Sequence, residues 1–329
     1  MKALAAKAYG APGSLSILDI PTPEAGPGQI QVQIAAASIN PTDLAVVTGV
    51  YASLLNVPFP YVPGNEFAGT VTDVGSGVRD YQVGDSVFGS AMPHALSAMA
   101  SPDRPSLGTG ALAEFAVFEA DTPLITRRPS NVSVLQAASL PIAGATAYSV
   151  AVTAAAQPGA TVLVIGATGG VGTAALPLLS RAGAKVFATS RQDGAGEALR
   201  ALGAHEIIRP DASEYPNDLD VIINLALPAE PLRRVARKLR PGGHIVDIIW
   251  PGTSAVELGR ADVRYTYVRD VDTLPGGMSD VARHAAAGTL TTTVGARYPL
   301  SEAVSAMKHF ARRGTFGKVV VTMAGEDSL

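Results

Sequence analysis

A glycine-rich segment is the strongest chemical signal in this chain of 329 residues. It reads Val162-Leu-Val-Ile-Gly-Ala-Thr-Gly-Gly-Val-Gly172, so an apolar, β-branched run leads into glycines and then into a helical stretch. Such a turn lets the backbone approach a pyrophosphate, and the helix after it presents free N–H groups and a partial positive charge. Alanine replaces the usual first glycine, but the strand before and the helix after are the context that the motif requires. The segment therefore predicts a dinucleotide-binding turn.

The following strand bears on the choice of dinucleotide. It ends in Ala188-Thr189-Ser190-Arg191, whereas NAD-selective sites place Asp or Glu there to hold the ribose 2′-hydroxyl. A hydroxyl and a guanidinium suit a 2′-phosphate instead, so we predict NADPH. Arg209, after the next strand, is a candidate second cation or else a solvated surface charge. Asp193, two residues beyond Arg191, keeps NAD(H) open as the alternative.

Other common catalytic arrangements are missing from the sequence. It contains no cysteine, which removes thiol nucleophiles and cysteine-based zinc sites. Its five histidines show no metal-ligand spacing, and no Gly-x-Ser-x-Gly string marks a hydrolase nucleophile. We therefore expect no bound metal.

Composition limits the partners. The formal net charge is only −3, which removes the electrostatic drive for nonspecific binding to nucleic acid or anionic membranes.

The stretch Pro129–Ser180 has no charged residue. Prolines and glycines interrupt it, so we interpret it as a buried interior rather than a membrane span. The N-terminus resembles a first strand more than a signal peptide. We expect a cytoplasmic protein that acts on a small molecule.

The secondary-structure elements that position these groups follow two different patterns along the chain. Residues 1–125 predict an all-β region, because Gln29–Ala36 alternates polar and apolar residues and turn signals separate similar runs. The other candidate strands are Phe67–Val74, Ser86–Phe88 and Ala113–Phe118. Residues 90–110 contain three prolines and no clear period, which predicts a long loop.

After about Thr126, strands alternate with helices. The predicted strands are Thr161–Ile165, Lys185–Thr189, Glu206–Ile208, Val221–Leu225 and His244–Ile249, and the predicted helices are Gly170–Ala182, Gly196–Leu202 and the basic Leu232–Leu239. Such alternation is typical of a parallel sheet covered on both faces. Pro177 removes a backbone donor inside the first helix and predicts a kink. A helix at Ser301–Arg312 and a strand at Lys318–Met323 complete the series.

A series of short strings extends along nearly the whole chain. It comprises Asn40-Pro-Thr-Asp43, Val62-Pro-Gly-Asn-Glu-Phe-Ala-Gly-Thr-Val71, Val83-Gly-Asp-Ser-Val-Phe-Gly89, Ala137-Ala-Ser-Leu-Pro141, Gly144-Ala-Thr-Ala-Tyr148, the glycine turn, Pro241-Gly-Gly243 and Gly317-Lys-Val-Val320. In order and spacing they resemble the zinc-free quinone oxidoreductase group of the medium-chain dehydrogenase/reductase superfamily.

The resemblance implies an α/β fold in which a Rossmann parallel-sheet domain is inserted in a GroES-like β domain. Residues 126–298 would form the Rossmann domain, and residues 1–125 plus 299–329 the β domain, with the active site in the cleft between them. Zinc-dependent members carry His before the Glu of the Gly-x-Glu string, but Asn65 stands there in this chain. With no cysteine for the remaining ligands, we expect a zinc-independent protein.

The resemblance also implies roles for single residues. Asn40 corresponds to the residue beside the nicotinamide ribose, and Thr146 to the threonine near the nicotinamide. Leu225 and Ala226 correspond to residues that line the nicotinamide. Lys318 corresponds to a family lysine near the cofactor, with a surface lysine before a strand as the alternative.

On the phosphate side, the pyrophosphate would lie against the turn residues Ala167, Thr168, Gly169, Gly170 and Val171. Ser190 and Arg191 stand where the family binds the 2′-phosphate. Many members have a lysine slightly further on, where this chain has Gly194, Ala195 and Gly196, and this departure weakens the NADPH prediction.

Without a metal there is no strong Lewis acid to polarise an isolated carbonyl. A quinone or enone needs less help, because the charge spreads to a distant oxygen that a hydroxyl or N–H can stabilise. We therefore predict an NADPH-dependent reductase of conjugated carbonyl acceptors. Tyr51 is the candidate to hydrogen-bond that oxygen or to protonate the product, with a packing role as the alternative.

Two other functions remain open at this point. One is a reductase of enoyl thioesters or carbonyls in a biosynthetic pathway, and the other is a non-catalytic protein that binds NADPH. Relatives often form dimers through the edges of their Rossmann sheets. Tyr265–Val271 is the candidate edge strand for such a homodimer, but Arg269 and Asp270 place charges on that edge, and the sequence leaves the oligomeric state open.

Overall fold

A computed structural model describes residues 1–53, 57–91, 110–210, 215–269, 274–312 and 314–323. The predicted loop at 90–110 therefore falls almost entirely outside the described residues. The chain divides into two compact units. The first unit comprises Met1–Ile142, Gly276–Gly288 and Val294–Leu329, and the second comprises Ala143–Pro275 and Thr289–Thr293.

The first unit is built on a seven-stranded, mainly antiparallel sheet. Its strands are ordered β14-β15-β3-β4-β5-β7, with β6 also paired to β3, and β1 and β2 form a separate pair. The strands are β1 (Lys2–Ala5), β2 (Ser16–Asp19), β3 (Gln29–Ser38), β4 (Glu66–Val74), β5 (Ser86–Ser90), β6 (Phe115–Glu119), β7 (Ile125–Arg127), β14 (Val294–Pro299) and β15 (Lys318–Thr322). The helices are α1 (Pro41–Val47), α2 (Val134–Ser139), α7 (Met278–Ala286) and α8 (Ala303–Ala311).

The predicted β-strands of this region are confirmed, but the prediction that residues 1–125 are all-β is wrong at α1. This helix spans only Pro41–Val47, too few residues for a helical period to show. Proline is pre-organised for its first turn, and the Asp43 carboxylate accepts the Asn40 backbone N–H at 2.7 Å. Local capping therefore inserts a short helix after β3.

The second unit contains a six-stranded, all-parallel sheet in the order β10-β9-β8-β11-β12-β13. Its strands are β8 (Thr161–Ile165), β9 (Lys185–Thr189), β10 (Glu206–Ile208), β11 (Leu219–Asn224), β12 (Leu239–Asp247) and β13 (Arg264–Tyr267). Its helices are α3 (Ala143–Ala154), α4 (Gly170–Arg181), α5 (Gly196–Ala201) and α6 (Ala229–Ala236). The strand order reverses direction between β8 and β11, which is where open α/β sheets bind ligands.

The α/β fold class is confirmed, and so are the five strands predicted for the second half. Helix α4 continues through Pro177 to Arg181. The basic helix begins at Ala229, three residues before its predicted start, because Pro228 caps its N-terminus in an extended conformation. The predicted edge strand Tyr265–Val271 is confirmed in part: β13 lies at the end of the sheet, but it ends at Tyr267, and residues 270–273 are outside the described part.

The compact units differ from the predicted domains at their edges. Residues 126–142 lie in the first unit, because α2 packs on β3 and β4 and the Ile142 N–H donates to Glu66. Helix α7 also lies in the first unit, since the Met278 N–H donates to the Pro123 carbonyl at 2.8 Å. These attachments join segments that are distant in sequence.

The uncharged stretch at 129–180 forms α2, α3, β8 and most of α4. The longest of these helices have 12 residues. Among the residues that the structure describes, none of the helices combines the length and the apolar character that a bilayer crossing requires.

Candidate cofactor and catalytic site

The glycine turn is a tight connection between β8 and α4. Gly166 has a φ of +84°, and the Gly169 N–H donates to its carbonyl at 3.1 Å. A Cβ on Gly172 would meet the Ala167 Cα at 2.6 Å, so the helix can pack this closely only with glycine there. Gly169 caps α4 without a side-chain hydrogen bond. The first N–H groups of α4 are thus presented without a competing side chain.

The turn is held against two neighbouring segments. The Gly166 N–H donates to the Thr189 hydroxyl at 3.0 Å, which ties the turn to the end of β9. A Cβ on Gly166 would lie 3.0 Å from the Ala226 Cβ and 3.3 Å from the Leu225 Cβ. The structure thereby brings together the turn, the strand end predicted for the 2′-phosphate and the loop predicted to line the nicotinamide.

The end of β9 leaves one guanidinium open. The Ser190 hydroxyl accepts the Gln192 N–H at 3.0 Å, which shapes the loop after the strand. Arg191 is exposed and has no hydrogen-bond or ion-pair partner among the described residues. Arg209, in contrast, forms an exposed ion pair with Asp193 at 2.5 Å. The sequence analysis left Arg209 open as a second cation for the 2′-phosphate and Asp193 open as a carboxylate for the NAD ribose. In the structure these two side chains are paired with each other.

These features fit a dinucleotide. The cap glycine Gly169 has only the Gly166 carbonyl, at 3.5 Å, near the place of a Cβ, so the backbone is uncovered where a phosphate would approach. The helix N-terminus supplies donors and positive potential. No carboxylate ends β9, whose last residues are Ala188 and Thr189.

A polar cluster is buried in the first unit. The Lys318 ammonium donates to Asn40 Oδ1 at 2.6 Å and to the Ile39 carbonyl at 3.2 Å, and it lies 2.7 Å from Glu66 Oε1. Its three protons therefore have three acceptors. Glu66 Oε1 also accepts from Asn40 Nδ2 at 2.9 Å and from the Ser38 hydroxyl. The alternative of Lys318 as a surface lysine is wrong, because its side chain is only 4 % exposed.

Asp43 lies in the same unit and is fully buried. Its carboxylate accepts the backbone N–H groups of Asn40 and Gly64 at 2.7 and 2.9 Å. Burial raises the pKa of Asp43 to about 7, against the opposing effect of these two hydrogen bonds and of Lys318. Burial also raises the pKa of Tyr61, and the charge of Asp43 adds to that shift.

The position that holds histidine in zinc-dependent relatives carries an amide that is already engaged. Asn65 Nδ2 donates to the Thr42 hydroxyl at 2.5 Å. An amide nitrogen is a donor only, so Asn65 does not supply the ring-nitrogen ligand that histidine would offer there. Within the described ranges, no group of three or more His, Asp or Glu side chains is arranged to hold a metal ion.

The remaining predicted residues lie in different units. Tyr51 follows α1 in the first unit, is half-buried and packs against the apolar core of that unit. Thr146 lies on α3 in the second unit and is 6 % exposed. Leu225 and Ala226 follow β11, where the Leu225 N–H donates to the Ile165 carbonyl at 3.0 Å.

The sequence reasoning missed a polar network that joins three adjacent strands, with two of its members at the carboxyl ends of their strands. Asn224 ends β11, Asp247 ends β12, and Tyr265 lies on β13. Asp247 accepts from Asn224 Nδ2 at 2.9 Å and from the Tyr265 hydroxyl at 2.8 Å. Burial raises the pKa of Asp247 although these hydrogen bonds oppose the shift. The available signal was a polar residue ending each of two consecutive buried strands.

Two protein families match this chain. Residues 26–128 match the alcohol dehydrogenase GroES-like domain, and residues 202–321 match a family described as zinc-binding dehydrogenase. The chain is 28 % identical over 344 residues to the chloroplast envelope quinone oxidoreductase homolog of Arabidopsis thaliana, with 98 % of each chain covered.

Two further relatives are matched over part of their length. The chain is 32 % identical over 251 residues to the 2-methylene-furan-3-one reductase of Solanum lycopersicum, covering 75 % of this chain and 61 % of that protein. It is 30 % identical over 336 residues to a mycocerosic acid synthase-like polyketide synthase of Mycobacterium tuberculosis, covering 92 % of this chain but 15 % of the synthase. The chain thus spans about three fifths of the first and about one seventh of the second.

Solved structures show the same fold. The quinone oxidoreductase from Coxiella burnetii has a TM-score of 0.82 at 26 % identity, covering 98 % of this chain and 99 % of that one. The CurK enoyl reductase has a TM-score of 0.81 at 27 % identity, with 98 % and 99 % covered. An NAD-dependent alcohol dehydrogenase has a TM-score of 0.80 at 26 % identity, with 98 % and 100 % covered.

A GroES-like β unit interrupted by a parallel-sheet unit with a dinucleotide-type glycine turn defines a two-domain oxidoreductase. The chain belongs to the medium-chain dehydrogenase/reductase superfamily, and it resembles the quinone oxidoreductases of that superfamily. The superfamily predicted from the sequence motifs is confirmed, and the zinc-free character of this chain stays a prediction.

Proposed function

We propose that this protein is an NADPH-dependent, zinc-independent reductase that transfers hydride to a conjugated carbonyl acceptor, a quinone or an α,β-unsaturated ketone. The observation that carries the proposal is the hydrogen bond between the Gly166 N–H and the Thr189 hydroxyl. It sets the pyrophosphate turn beside a strand end that is followed by the open guanidinium of Arg191. A site of this composition favours a phosphate over a ribose hydroxyl.

Several residues of the second unit would hold the cofactor. The N–H groups at the start of α4, in the turn from Ala167 to Val171, would bind the pyrophosphate, and Ser190 and Arg191 the 2′-phosphate. Leu225, Ala226 and Thr146 would line the nicotinamide. Arg209 is better assigned to orienting Asp193, since the two form an ion pair. When bound, the cofactor supplies the hydride.

Asn40 and Lys318 are proposed to act near the cofactor as one unit. All three ammonium protons of Lys318 are already bonded within the protein, so Lys318 is a positioning residue that holds the Asn40 amide. The Asn40 side chain is fixed from both ends, because its oxygen accepts from Lys318 and its nitrogen donates to Glu66. A side chain that is fixed before binding costs less entropy to order.

The acceptor class follows from the groups that are present. The sequence has no cysteine, and Asn65 stands where zinc-dependent relatives carry histidine, which supports chemistry without zinc. A conjugated acceptor spreads the developing charge to an oxygen that one hydroxyl can stabilise. We assign this hydrogen bond to Tyr51. The relatives named quinone oxidoreductase and 2-methylene-furan-3-one reductase, whose name describes an enone, support this class.

An enoyl-thioester reductase is the second candidate. Its support is the match of 92 % of this chain to part of a polyketide synthase and the likeness to the CurK enoyl reductase. A carbonyl reductase or a non-catalytic NADPH-binding protein would also bind the dinucleotide, but neither has comparable support among the relatives.

A substrate panel tests the proposal. The purified protein is assayed with NADPH and with NADH against quinones, enones, enoyl thioesters and aldehydes, and its zinc content is measured. We expect oxidation of NADPH with quinones or enones and less than one zinc per ten chains. Preference for an enoyl thioester would support the second candidate. Stoichiometric zinc, or no binding of NADPH, would contradict the proposal.

A homodimer through the edge strand β13 also remains part of the proposal. It is supported by the position of β13 at the end of the parallel sheet. Light scattering coupled to gel filtration measures the assembly state directly.

A further inference from the structure

The network of Asn224, Asp247 and Tyr265 is hydrogen-bonded to two loops of the second unit. The Asn224 side chain closes on the loop that follows β11: its oxygen accepts the Leu227 N–H at 2.9 Å, and its nitrogen donates to the Leu227 carbonyl at 2.8 Å. The same nitrogen donates to Asp247 at 2.9 Å. One amide thus fixes the conformation of residues 225–227 and connects them to the next strand.

Asp247 and Tyr265 fix the loop that follows β12. Asp247 Oδ1 accepts the Ile249 N–H at 2.9 Å. The Tyr265 hydroxyl donates to Asp247 Oδ2 at 2.8 Å and accepts the Thr253 N–H at 2.9 Å. The beginning and the end of the segment 248–253 are therefore both bonded to the network.

The network lies in the same row of the sheet as the glycine turn. The register pairs Asn224 with Asp247 and, on its other side, with Ile165, the residue just before Gly166. Gly166 also has the side chains of Leu225 and Ala226 directly beside its Cβ position. A shift of residues 225–227 would be transmitted to the turn, since no space separates them.

A purely structural core would not need these groups. Asn224 is 0 % and Asp247 2 % exposed, and a buried carboxylate is costly unless its oxygens are satisfied. Apolar residues would fill this interior without that cost. A satisfied polar network, in contrast, specifies one conformation of the loops attached to it.

We propose that Asn224, Asp247 and Tyr265 are positioning residues that fix the loops 225–227 and 248–253 for the nicotinamide half of the dinucleotide. This inference rests on the proposed function, because it takes Leu225 and Ala226 as nicotinamide-lining residues. It adds residues that would act through these two loops rather than by touching the cofactor. Their effect should therefore be confined to the half of the cofactor that the loops receive.

The test compares a whole dinucleotide with one of its halves. Tyr265→Phe and Asp247→Asn are titrated with NADPH, followed by nicotinamide fluorescence, and with 2′-phospho-ADP-ribose, which lacks the nicotinamide, by calorimetry. We expect the Kd for NADPH to rise about three- to tenfold, in keeping with the loss of a hydrogen bond to a charged group. The Kd for 2′-phospho-ADP-ribose should stay within about twofold of the wild-type value.

Tyr298→Phe is the matched control. It removes a tyrosine hydroxyl that bonds His309 at 2.9 Å in the first unit, and both Kd values should remain unchanged. The Tm of each variant establishes that it is folded, and Tyr265→Phe, which removes a single oxygen, keeps the test valid if Asp247→Asn does not fold.

The outcomes separate this inference from the proposed function. Folded variants that bind NADPH as tightly as the wild type would overturn the inference. Equal weakening for NADPH and for 2′-phospho-ADP-ribose would also overturn it, because it would show a general structural role. A wild-type protein that binds 2′-phospho-ADP-ribose and NADPH with the same affinity would contradict the loop assignment itself. Only a wild-type protein that binds neither ligand would remove the proposed function as well.

Discussion

The ammonium of Lys318 lies 2.7 Å from a carboxylate oxygen of Glu66, and the two side chains are 4 % and 0 % exposed. They belong to strands β15 and β4, which are the two neighbours of β3 in the same sheet order. Asn40, two residues after the end of β3, completes the contact through hydrogen bonds to both. One ion pair thus fixes the amide that we place near the cofactor.

Removing one partner of this ion pair should be more harmful than removing both charges. Lys318→Met leaves the Glu66 carboxylate buried without its cation, so we expect a loss of about 3–5 kcal/mol in the free energy of unfolding. The double variant Lys318→Met/Glu66→Gln should recover part of that loss. Urea denaturation measures both, and a single variant that costs less than about 1 kcal/mol would contradict a tightly coupled pair.

Two glycines of the turn should respond differently to alanine. At Gly172 the new Cβ would meet the Ala167 Cα at 2.6 Å, so Gly172→Ala should lower the Tm and abolish NADPH binding. At Gly169 the nearest atom is 3.5 Å away and φ is −75°, so Gly169→Ala should keep the wild-type Tm.

The Gly169 methyl group would nevertheless cover backbone that we assign to the pyrophosphate. Gly169→Ala should therefore weaken NADPH binding about tenfold or more without a change in Tm. Fluorescence titration and a thermal melt of the same sample give both values. Unchanged affinity in a folded Gly169→Ala variant would argue against this phosphate position.

The choice between NADPH and NADH should depend on Arg191. Arg191→Ala removes the open guanidinium, and we expect the Kd for NADPH to rise about tenfold while the Kd for NADH changes little. Arg209→Ala is the matched control, because Arg209 is already paired with Asp193 at 2.5 Å. A larger loss of NADPH affinity in the control than in Arg191→Ala would reverse the assignment.

Tyr51 should matter for turnover rather than for cofactor binding. Tyr51→Phe keeps the ring that packs on the core but removes the hydroxyl, so kcat with a quinone or enone should fall at least about tenfold. The Kd for NADPH should not change. Turnover is measured across pH, and an unchanged rate at every pH would leave Tyr51 with a packing role only.

His244 should make the protein less stable as the pH falls. Burial, and then the charge of Arg264, lower the pKa of His244 to about 4 from its usual 6.5, and its ring is bonded to Thr266 and Arg264 at 2.9 Å. Between these pH values the unfolded chain binds a proton that the folded protein excludes. The contribution is therefore fully present above pH 6.5 and is lost as the pH falls toward 4.

The variant His244→Gln removes this titration. Between pH 7.5 and pH 5 it should lose about 2 kcal/mol less of the free energy of unfolding than the wild type loses. Urea denaturation at the two pH values gives the difference. Equal losses in the two proteins would show that His244 does not contribute to the pH dependence.

Local sequence patterns were sufficient to predict an element where the element and its proposed ligand site are adjacent in sequence. The run from Val162 to Gly172 carries its own strand, turn and helix start, and β8, β9 and β10 lie at their predicted positions. Short capped elements such as α1 escaped prediction, because seven residues hold too little periodicity to compete with the β pattern around them.

The family, the fold class and the turn that we assign to a dinucleotide could all be predicted from local sequence, because hydrophobic period and glycine spacing act over about ten to twenty residues. The pairing of the buried polar groups could not be predicted in this way. Lys318 reaches Asn40 across 278 positions and Asp247 reaches Asn224 across 23. Such pairings depend on strand order and register, which bring distant residues into contact, and a buried charge settles on whichever partners that geometry supplies.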